Sequence, residues 1–420
     1  MKLRTAHNGG LKLDIRIEPS KLSGKLDIPA SKSCAHRALI CAALADGRSV
    51  ITGVSMSNDI EATIGAMTAL GAVFEVNGST ITVDGISTRM KKAEIDCNES
   101  GSTLRFIIPI AAALGTDSRF IGRGRLPQRP IDIYTRELSK NGVRFLTETM
   151  PYDITGTLKG GIYEIEGDVS SQFVTGLLFA LPLLEGDSEI RLTSHLESRP
   201  YVDITIAILR RFGIVIEESK NSFRIPGGQK YKPNNEKVEG DYSQAAFFYV
   251  ANAIGSSVDI GNLVPDSVQG DRKILDIINE TCYNGNIGSY RADCSDIPDL
   301  VPILAVLGAF GNAESVIYNA KRLRIKESDR LSTTAAMLNE IGGDVTVTDD
   351  GLIIRPTDNM HGGTIDSAGD HRIVMAAAIA ATKTNAPVII KGAEAAEKSY
   401  PDFFKDYIDL GGKANVIDLE

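Results

Sequence analysis

The sequence predicts an α/β protein of two domains, built from six βαβαββ units, three to a domain. Three observations predict it. A short alternating strand, a polar loop and an Ala/Leu-rich helix recur along the 420 residues. Several copies are followed by a second helix that stops at glycine before a hairpin. The copies start roughly 50 to 75 residues apart, the size of a supersecondary repeat.

The first copy reads KLDIPASKSCAHRALICAALADG from Lys25, and the second AEIDCNESGSTLRFIIPIAAALG from Ala93. The third is YEIEGDVSSQFVTGLLFALPLLEG from Tyr163, and the fourth KVEGDYSQAAFFYVANAIG from Lys237. YRADCSDIPDLVPILAVLGAFG from Tyr290 and TIDSAGDHRIVMAAAIAATKTN from Thr364 complete the set. Second helices are expected at 60–70, 201–212 and 331–341, ending at Gly71, Gly213 and Gly342. After the first of these, FEVNGSTITVDG reads as strand, Asn-Gly turn and strand. The fourth unit is shorter and irregular around 281–287. The polar stretch YKPNNEKVEG at 231–240 reads as a domain crossing. A strand at 13–17 is left over before the first unit and is expected to complete the C-terminal domain. The expected domains are therefore 31–236, and 1–30 together with 237–420.

The first helix of each unit is apolar nearly all round, which predicts burial inside a domain. Its N-terminus follows a loop rich in Ser, Asp, Gly, Lys and Arg. Free N–H groups and the positive dipole end suit phosphate or carboxylate. Ser and Asp are ordinary caps, so one such loop says little. Caps need no cations, however, and these loops also hold Lys32, Arg37, Arg105 and the Asp370-His371-Arg372 triplet.

Composition narrows the classes. The net charge of −9 argues against a general nucleic-acid binder. No apolar run approaches the roughly 18 residues of a membrane span, and MKLRTAHNGG at the start lacks the apolar stretch of a secretory signal. Five cysteines without a CxxC pair suit free thiols in a reducing cytoplasm, with no zinc site.

Several segments concentrate chemistry. SKSCAHR presents Lys32, Ser33 and Arg37 within about one helical turn, two cations and a hydroxyl for one anion. NESGSTLR places Gly101 where a ligand approaches backbone closely. GRGRLPQRPI carries Arg123, Arg125 and Arg129. SSQF (Ser170, Ser171, Gln172) and ESRPY (Ser198, Tyr201) offer neutral hydrogen-bonding groups suited to a polyhydroxylated ligand. KRLRIKESDR at 321–330 is the densest run, mixing five cations with Glu327 and Asp329. DHR adds His371 and Arg372, and EKSYPDFF adds Lys398.

Taken together, these segments closely resemble the 5-enolpyruvylshikimate-3-phosphate synthase family. SKSxxxR, GSTLR, QRPI, SSQF, SRPYxDIT, IPD, KESDR, DHR and KSYPDFF occur in family order across nearly the whole chain. The resemblance implies a two-domain inverted α/β barrel, with phosphoenolpyruvate held by Lys32, Arg129, Arg330, Arg372 and Lys398 beside the Gly101 backbone. It implies that shikimate 3-phosphate is held by Lys32, Ser33, Arg37, Ser170, Ser171, Gln172, Ser198, Tyr201, Asp299 and Lys326. Glu327 falls on the family's proton donor, and either Asp299 or Lys326 is the base. No cofactor or metal is implied, the partners are the two small molecules, and a monomer is expected. Glyphosate is implied as a competitor of phosphoenolpyruvate. Both substrates carry phosphate and carboxylate, so joining them requires concentrated cations. Counting those cations alone predicts that the two half-sites repel until an anion bridges them.

Two positions depart from the family. Glu99 stands where asparagine is common, so its carboxylate is expected to point away or pair with a cation. Leu323 replaces an aromatic residue before KE. The sister enzymes acting on UDP-N-acetylglucosamine carry a reactive cysteine at the place of 122–129, and this chain has none between Cys97 and Cys282. A non-enzymatic scaffold would not need acid–base residues among its cations. An RNA-end-modifying enzyme of similar units fits the acidic charge poorly.

Overall fold

The structure, a computed structural model, describes residues 13–417; the N-terminal extension lies outside them. Twelve α-helices occur among the described residues. They are α1 Lys32–Leu44, α2 Asn58–Ala69, α3 Gly101–Leu114, α4 Asp132–Lys140, α5 Ser171–Ala180 and α6 Arg199–Arg211. The second half adds α7 Tyr242–Ala253, α8 Lys273–Thr281, α9 Val301–Ala309, α10 Arg330–Glu340, α11 His371–Ala381 and α12 Phe403–Asp409.

Two hydrophobic cores divide the chain. One runs from Ala30 to Val238. The other joins Ile15, Ile17, Leu22, Leu26 and Ile28 to residues from Ala245 to Leu410. The helices that read as apolar all round lie within them: every residue of α9 and α11 is buried, as is all of α3 except Ser102. Five of these six helices carry a side-chain cap, from Ser31, Ser100, Ser170, Asp241 and Asp370. Before α9 a 3-10 turn, Pro298–Leu300, takes that place and presents Asp299.

Five four-stranded sheets share one pattern, a parallel pair followed by two antiparallel steps. Lys92–Asp96, for example, runs parallel to Asp117–Ile121, which continues antiparallel to Tyr152–Gly156. The glycine stops occur as expected: Gly71, Gly213 and Gly342 follow α2, α6 and α10 with φ of 111°, 81° and 95°, a region glycine enters without steric cost. At the irregular fourth unit only short pairs form, Cys282–Tyr283 with Asn286–Ile287.

One expectation needs correction. The units at Lys25 and Lys237 are not contiguous, because they exchange first strands. Ser23–Asp27, which leads into α1, runs parallel to Ser257–Gly261 of the other half. Glu236–Lys237, which leads toward α7, runs parallel to Arg48–Thr52. The crossing segments lie side by side. Ser31 N–H donates to Glu239 O at 2.7 Å, and Asp241 N–H to Pro29 O at 3.0 Å. The leftover N-terminal strand, Asp14–Glu18, sits between Val388–Lys391 and Lys413–Ile417.

Candidate active site

A cleft between the halves collects most of the expected residues. Lys32, Ser33, Arg37, Gly101, Arg129, Ser170, Ser171, Gln172, Ser198 and Tyr201 line it from one side; Asp299, Lys326, Glu327 and Arg330 line it from the other. The starts of α1, α3, α5, α6 and α10, the loops before α4 and α10, and the turn before α9 deliver these side chains. Arg372 and Lys398 are not on the lining. Arg372 stands behind Asp299, donating to its Oδ2 at 3.0 Å and to Ser243. Lys398 donates to Glu99 Oε2 at 2.7 Å and to the Gly369 carbonyl. The departure at Glu99 thus resolves as a pairing with a cation.

The wall from α1, α3 and α5 is built from cations on neutral acceptors. Arg37 is buried and donates to Thr205 Oγ1 at 2.7 Å and to the carbonyls of Ser33 and Tyr201. Its guanidinium lies over the Phe106 ring. Arg105 donates to Gln172 Oε1 at 2.7 Å and to the Pro130 carbonyl, and Gln172 donates onward to Ser102. Lys32 is the exception, paired with Asp59 at 2.8 Å. Gly101 leaves room for Arg129: a Cβ there would lie 2.6 Å from Arg129 Nη1.

The opposite wall is a lattice of alternating charge. Arg330, 1% exposed, donates to Asp370 Oδ2 at 2.9 Å, Asp299 Oδ1 at 2.9 Å and Glu327 Oε2 at 2.8 Å. Burial opposes ionisation of Glu327, but Arg330 and Arg129 outweigh it and hold the carboxyl well below its usual range. Asp299 behaves likewise: burial works against its charge, and Arg372, Arg330 and Lys326 prevail. Burial pulls the Lys326 ammonium down to about 8. His371 stays neutral, since burial and the cations Lys32 and Arg372 depress its pKa.

Opposite charges also meet across the cleft. Glu327 lies 3.8 Å from Arg129, Glu197 3.0 Å from Arg322, and Glu99 2.7 Å from Lys398. The repulsion expected from counting cations is therefore offset by carboxylates that the count ignored. Ser198, in a left-handed conformation (φ 56°), donates its N–H to Ser295 O across the same boundary.

Asp59, Arg322 and His371 also line the cleft, and none of them is assigned a role by the sequence. Asp59 carries no motif. Arg322 lay inside the charged run at 321–330 without a role. His371 was visible in DHR, but a lone histidine is more often structural than functional.

A family model described as EPSP synthase (3-phosphoshikimate 1-carboxyvinyltransferase) matches residues 17–407. The 3-phosphoshikimate 1-carboxyvinyltransferase of Clostridium kluyveri is 46% identical over 415 residues, covering 95% of this chain and 97% of that protein. The enzyme of that name from Clostridium novyi is 44% identical over 424 residues, covering 95% and 98%. The solved EPSP synthase of Acinetobacter baumannii superposes with a TM-score of 0.82 at 26% identity, covering 97% of this chain and all of that one. With the family model matching nearly end to end, this chain belongs to the EPSP synthase family.

Proposed function

We propose that this chain transfers the enolpyruvyl group of phosphoenolpyruvate to the 5-hydroxyl of shikimate 3-phosphate and releases phosphate. The observation that carries the reading is the position of Glu327, set between Arg129 of one half and Arg330 of the other, with Asp299 and Lys326 beside it in one cleft.

The reaction needs a proton at the methylene carbon of phosphoenolpyruvate, a base for the attacking hydroxyl, and stabilisation of the charged intermediate. Glu327 supplies the proton. It is ionised while Arg330 and Arg129 face it. When the phosphate of phosphoenolpyruvate competes for those guanidiniums, the carboxyl regains proton affinity. Asp299 is the base: its carboxylate is unprotonated and gains proton affinity when the substrates' anionic groups draw Arg330 and Arg372 away from it. Lys326, at about 8, keeps its proton at neutral pH. Lys326 then offers its ammonium to the negative charge that develops on the attacking oxygen and on the departing phosphate. Once the hydroxyl oxygen has added, phosphate leaves the tetrahedral intermediate toward Arg129, Arg330 and Lys32, while a proton returns from the new methyl to Glu327 and restores the double bond.

In this reading Arg372 and Lys398 complete the phosphoenolpyruvate site after exchanging carboxylate partners for ligand oxygens, with the Gly101 backbone alongside. Shikimate 3-phosphate lies on Lys32, Ser33, Arg37, Ser170, Ser171, Gln172, Ser198 and Tyr201 and meets Asp299 and Lys326. The halves 31–236, and 1–30 with 237–420, act as the two domains of an inverted α/β barrel of six units. One chain holds every residue invoked, which supports a monomer. No described helix is long and apolar enough to cross a membrane, and we place the enzyme in the cytoplasm. Phosphate release that requires both substrates together tests the activity. Release from phosphoenolpyruvate alone, or none with both, would overturn it.

A further inference from the structure

Tyr201 carries an unusual load. Its Oη lies 3.1 Å from Asp271 Oδ2 and 3.2 Å from Asp299 Oδ2. A phenol has one proton, so it donates to one carboxylate only. The second contact is a hydrogen bond only if that carboxyl brings its own proton. Otherwise a lone pair faces an anion at hydrogen-bond distance, buried from water.

The surroundings say which carboxyl that is. Asp299 accepts from Arg330 and Arg372 and faces Lys326, so it is ionised. Asp271 is buried, has no cation within hydrogen-bond distance, and its Oδ1 has no partner among the described residues. Gly270 allows this segment close to α6: a Cβ there would meet Pro200 at 2.7 Å. Asp271 thus reaches across the cleft boundary to Tyr201.

We propose that Asp271 is kept as a neutral carboxylic acid whose O–H donates to Tyr201 Oη, a positioning residue that aims the Tyr201 hydroxyl at Asp299. This rests on the reading of Asp299 as the base. The hydrogen-bond chain runs one way, Asp271 to Tyr201 to Asp299, and ties the two halves together beside the attacking hydroxyl. Ionised Asp271 would reverse Tyr201 and set a second negative charge near Asp299.

The groups facing Asp271 are Asp299 before α9, Tyr201 on α6, Arg372 on α11, the cap Asp241 of α7, and the Cys294 thiol. On its own segment Arg272 and Lys273 are exposed. Burial first, and then Asp299, push the Asp271 carboxyl up to about 8, with Arg372 opposing.

The test is infrared titration of the whole protein without substrate. The expected result is a buried carboxylic-acid C=O band at neutral pH that titrates with a midpoint near 8. It should vanish in Asp271→Asn and move to higher frequency in Tyr201→Phe, which removes the acceptor. A spectrum unchanged by Asp271→Asn would overturn the proposal. Stability gives a second reading. The folded chain keeps this proton up to about 8, whereas the ordinary carboxyl value is 3.8. Wild type therefore loses stability as pH rises between those values, and Asp271→Asn does not share that loss. The difference between the two proteins should grow across that interval and level off above it; a constant offset would contradict the proposal. Finally, Asp271→Asn keeps a donor and should retain about tenfold more kcat/KM for shikimate 3-phosphate than Asp271→Leu, the effect of one hydrogen bond. Equal losses would remove the positioning role. Because the infrared readings involve no substrate, they stand apart from the assignment of the base.

Discussion

The two walls of the cleft hold similar cations in opposite ways. In the half 31–236, Arg37 and Arg105 rest on hydroxyl, amide and carbonyl oxygens, Lys32 meets a carboxylate of its own half, and Arg129 faces Glu327 across the cleft. In the other half, Arg330 is held by three carboxylates and Arg372 by Asp299 together with Ser243, while Lys398 and Arg322 meet carboxylates through pairs reaching across the cleft. A cation on neutral acceptors keeps its full charge for a ligand and does not titrate with its neighbours. A cation among carboxylates is already balanced, and any incoming anion must redistribute charge and protons. The first arrangement suits fixed binding of a phosphorylated ligand. The second suits a reaction in which protons move. The acid–base candidates Asp299, Lys326 and Glu327 all belong to the second wall.

Glu327→Gln attacks this division most directly. It keeps the size of the side chain and removes the transferable proton, so turnover should fall by roughly 10²–10⁴-fold, the usual span for a general acid. Shikimate 3-phosphate affinity, measured by calorimetry, should barely change, because that ligand is assigned mainly to the neutral-acceptor wall. Normal turnover in this variant would leave Lys326 as the next candidate acid and blur the contrast between the walls.

Gly101→Ala probes where the walls meet. The added methyl would overlap the Arg129 guanidinium, which must shift from its present place 3.8 Å from Glu327. KM for phosphoenolpyruvate should rise by about tenfold, since displacement of a positioned charged group by an ångström is costly. Shikimate 3-phosphate binding should hold. If both affinities fall together, Arg129 serves the two sites equally.

Glu99→Gln should have the smallest effect. Its pair with Lys398 is partly exposed, with side-chain exposures of 40% and 22%, and such pairs contribute only ~0–1 kcal/mol. Stability should hardly change, while KM for phosphoenolpyruvate should drop by about two- to fivefold as Lys398 loses a competing carboxylate. A higher KM would mean that Glu99 positions Lys398 and does not compete with the ligand.

Much of this was legible in sequence because it is local. A helix that is apolar on every side must be buried, and α3, α9 and α11 are. Ser31, Ser100, Ser170, Asp241 and Asp370 cap the helices they immediately precede, since a cap bonds N–H groups two or three residues ahead. Gly71, Gly213 and Gly342 mark helix ends for an equally local reason. The ordered motifs placed Lys32, Gly101, Asp299, Glu327 and Arg330 at the starts of such elements, hence near one another.

Tertiary structure decided what depends on distant partners. The strands at 23–27 and 236–237 alternate much as the others do, and nothing in their residues records that they pair across the crossing. Backbone hydrogen bonds are the same for any sequence, so the choice of partner falls to chain closure and core packing. Nor does a count of cations reveal which are neutralised. Whether Arg330 faces three carboxylates or a ligand is a matter of ångströms, because charge interactions in a buried, low-dielectric site depend steeply on separation and desolvation. Asp271 is the sharpest instance: in sequence it is one more aspartate on a short turn, and only its burial against Tyr201, with no cation within hydrogen-bond distance, leads us to assign it a proton.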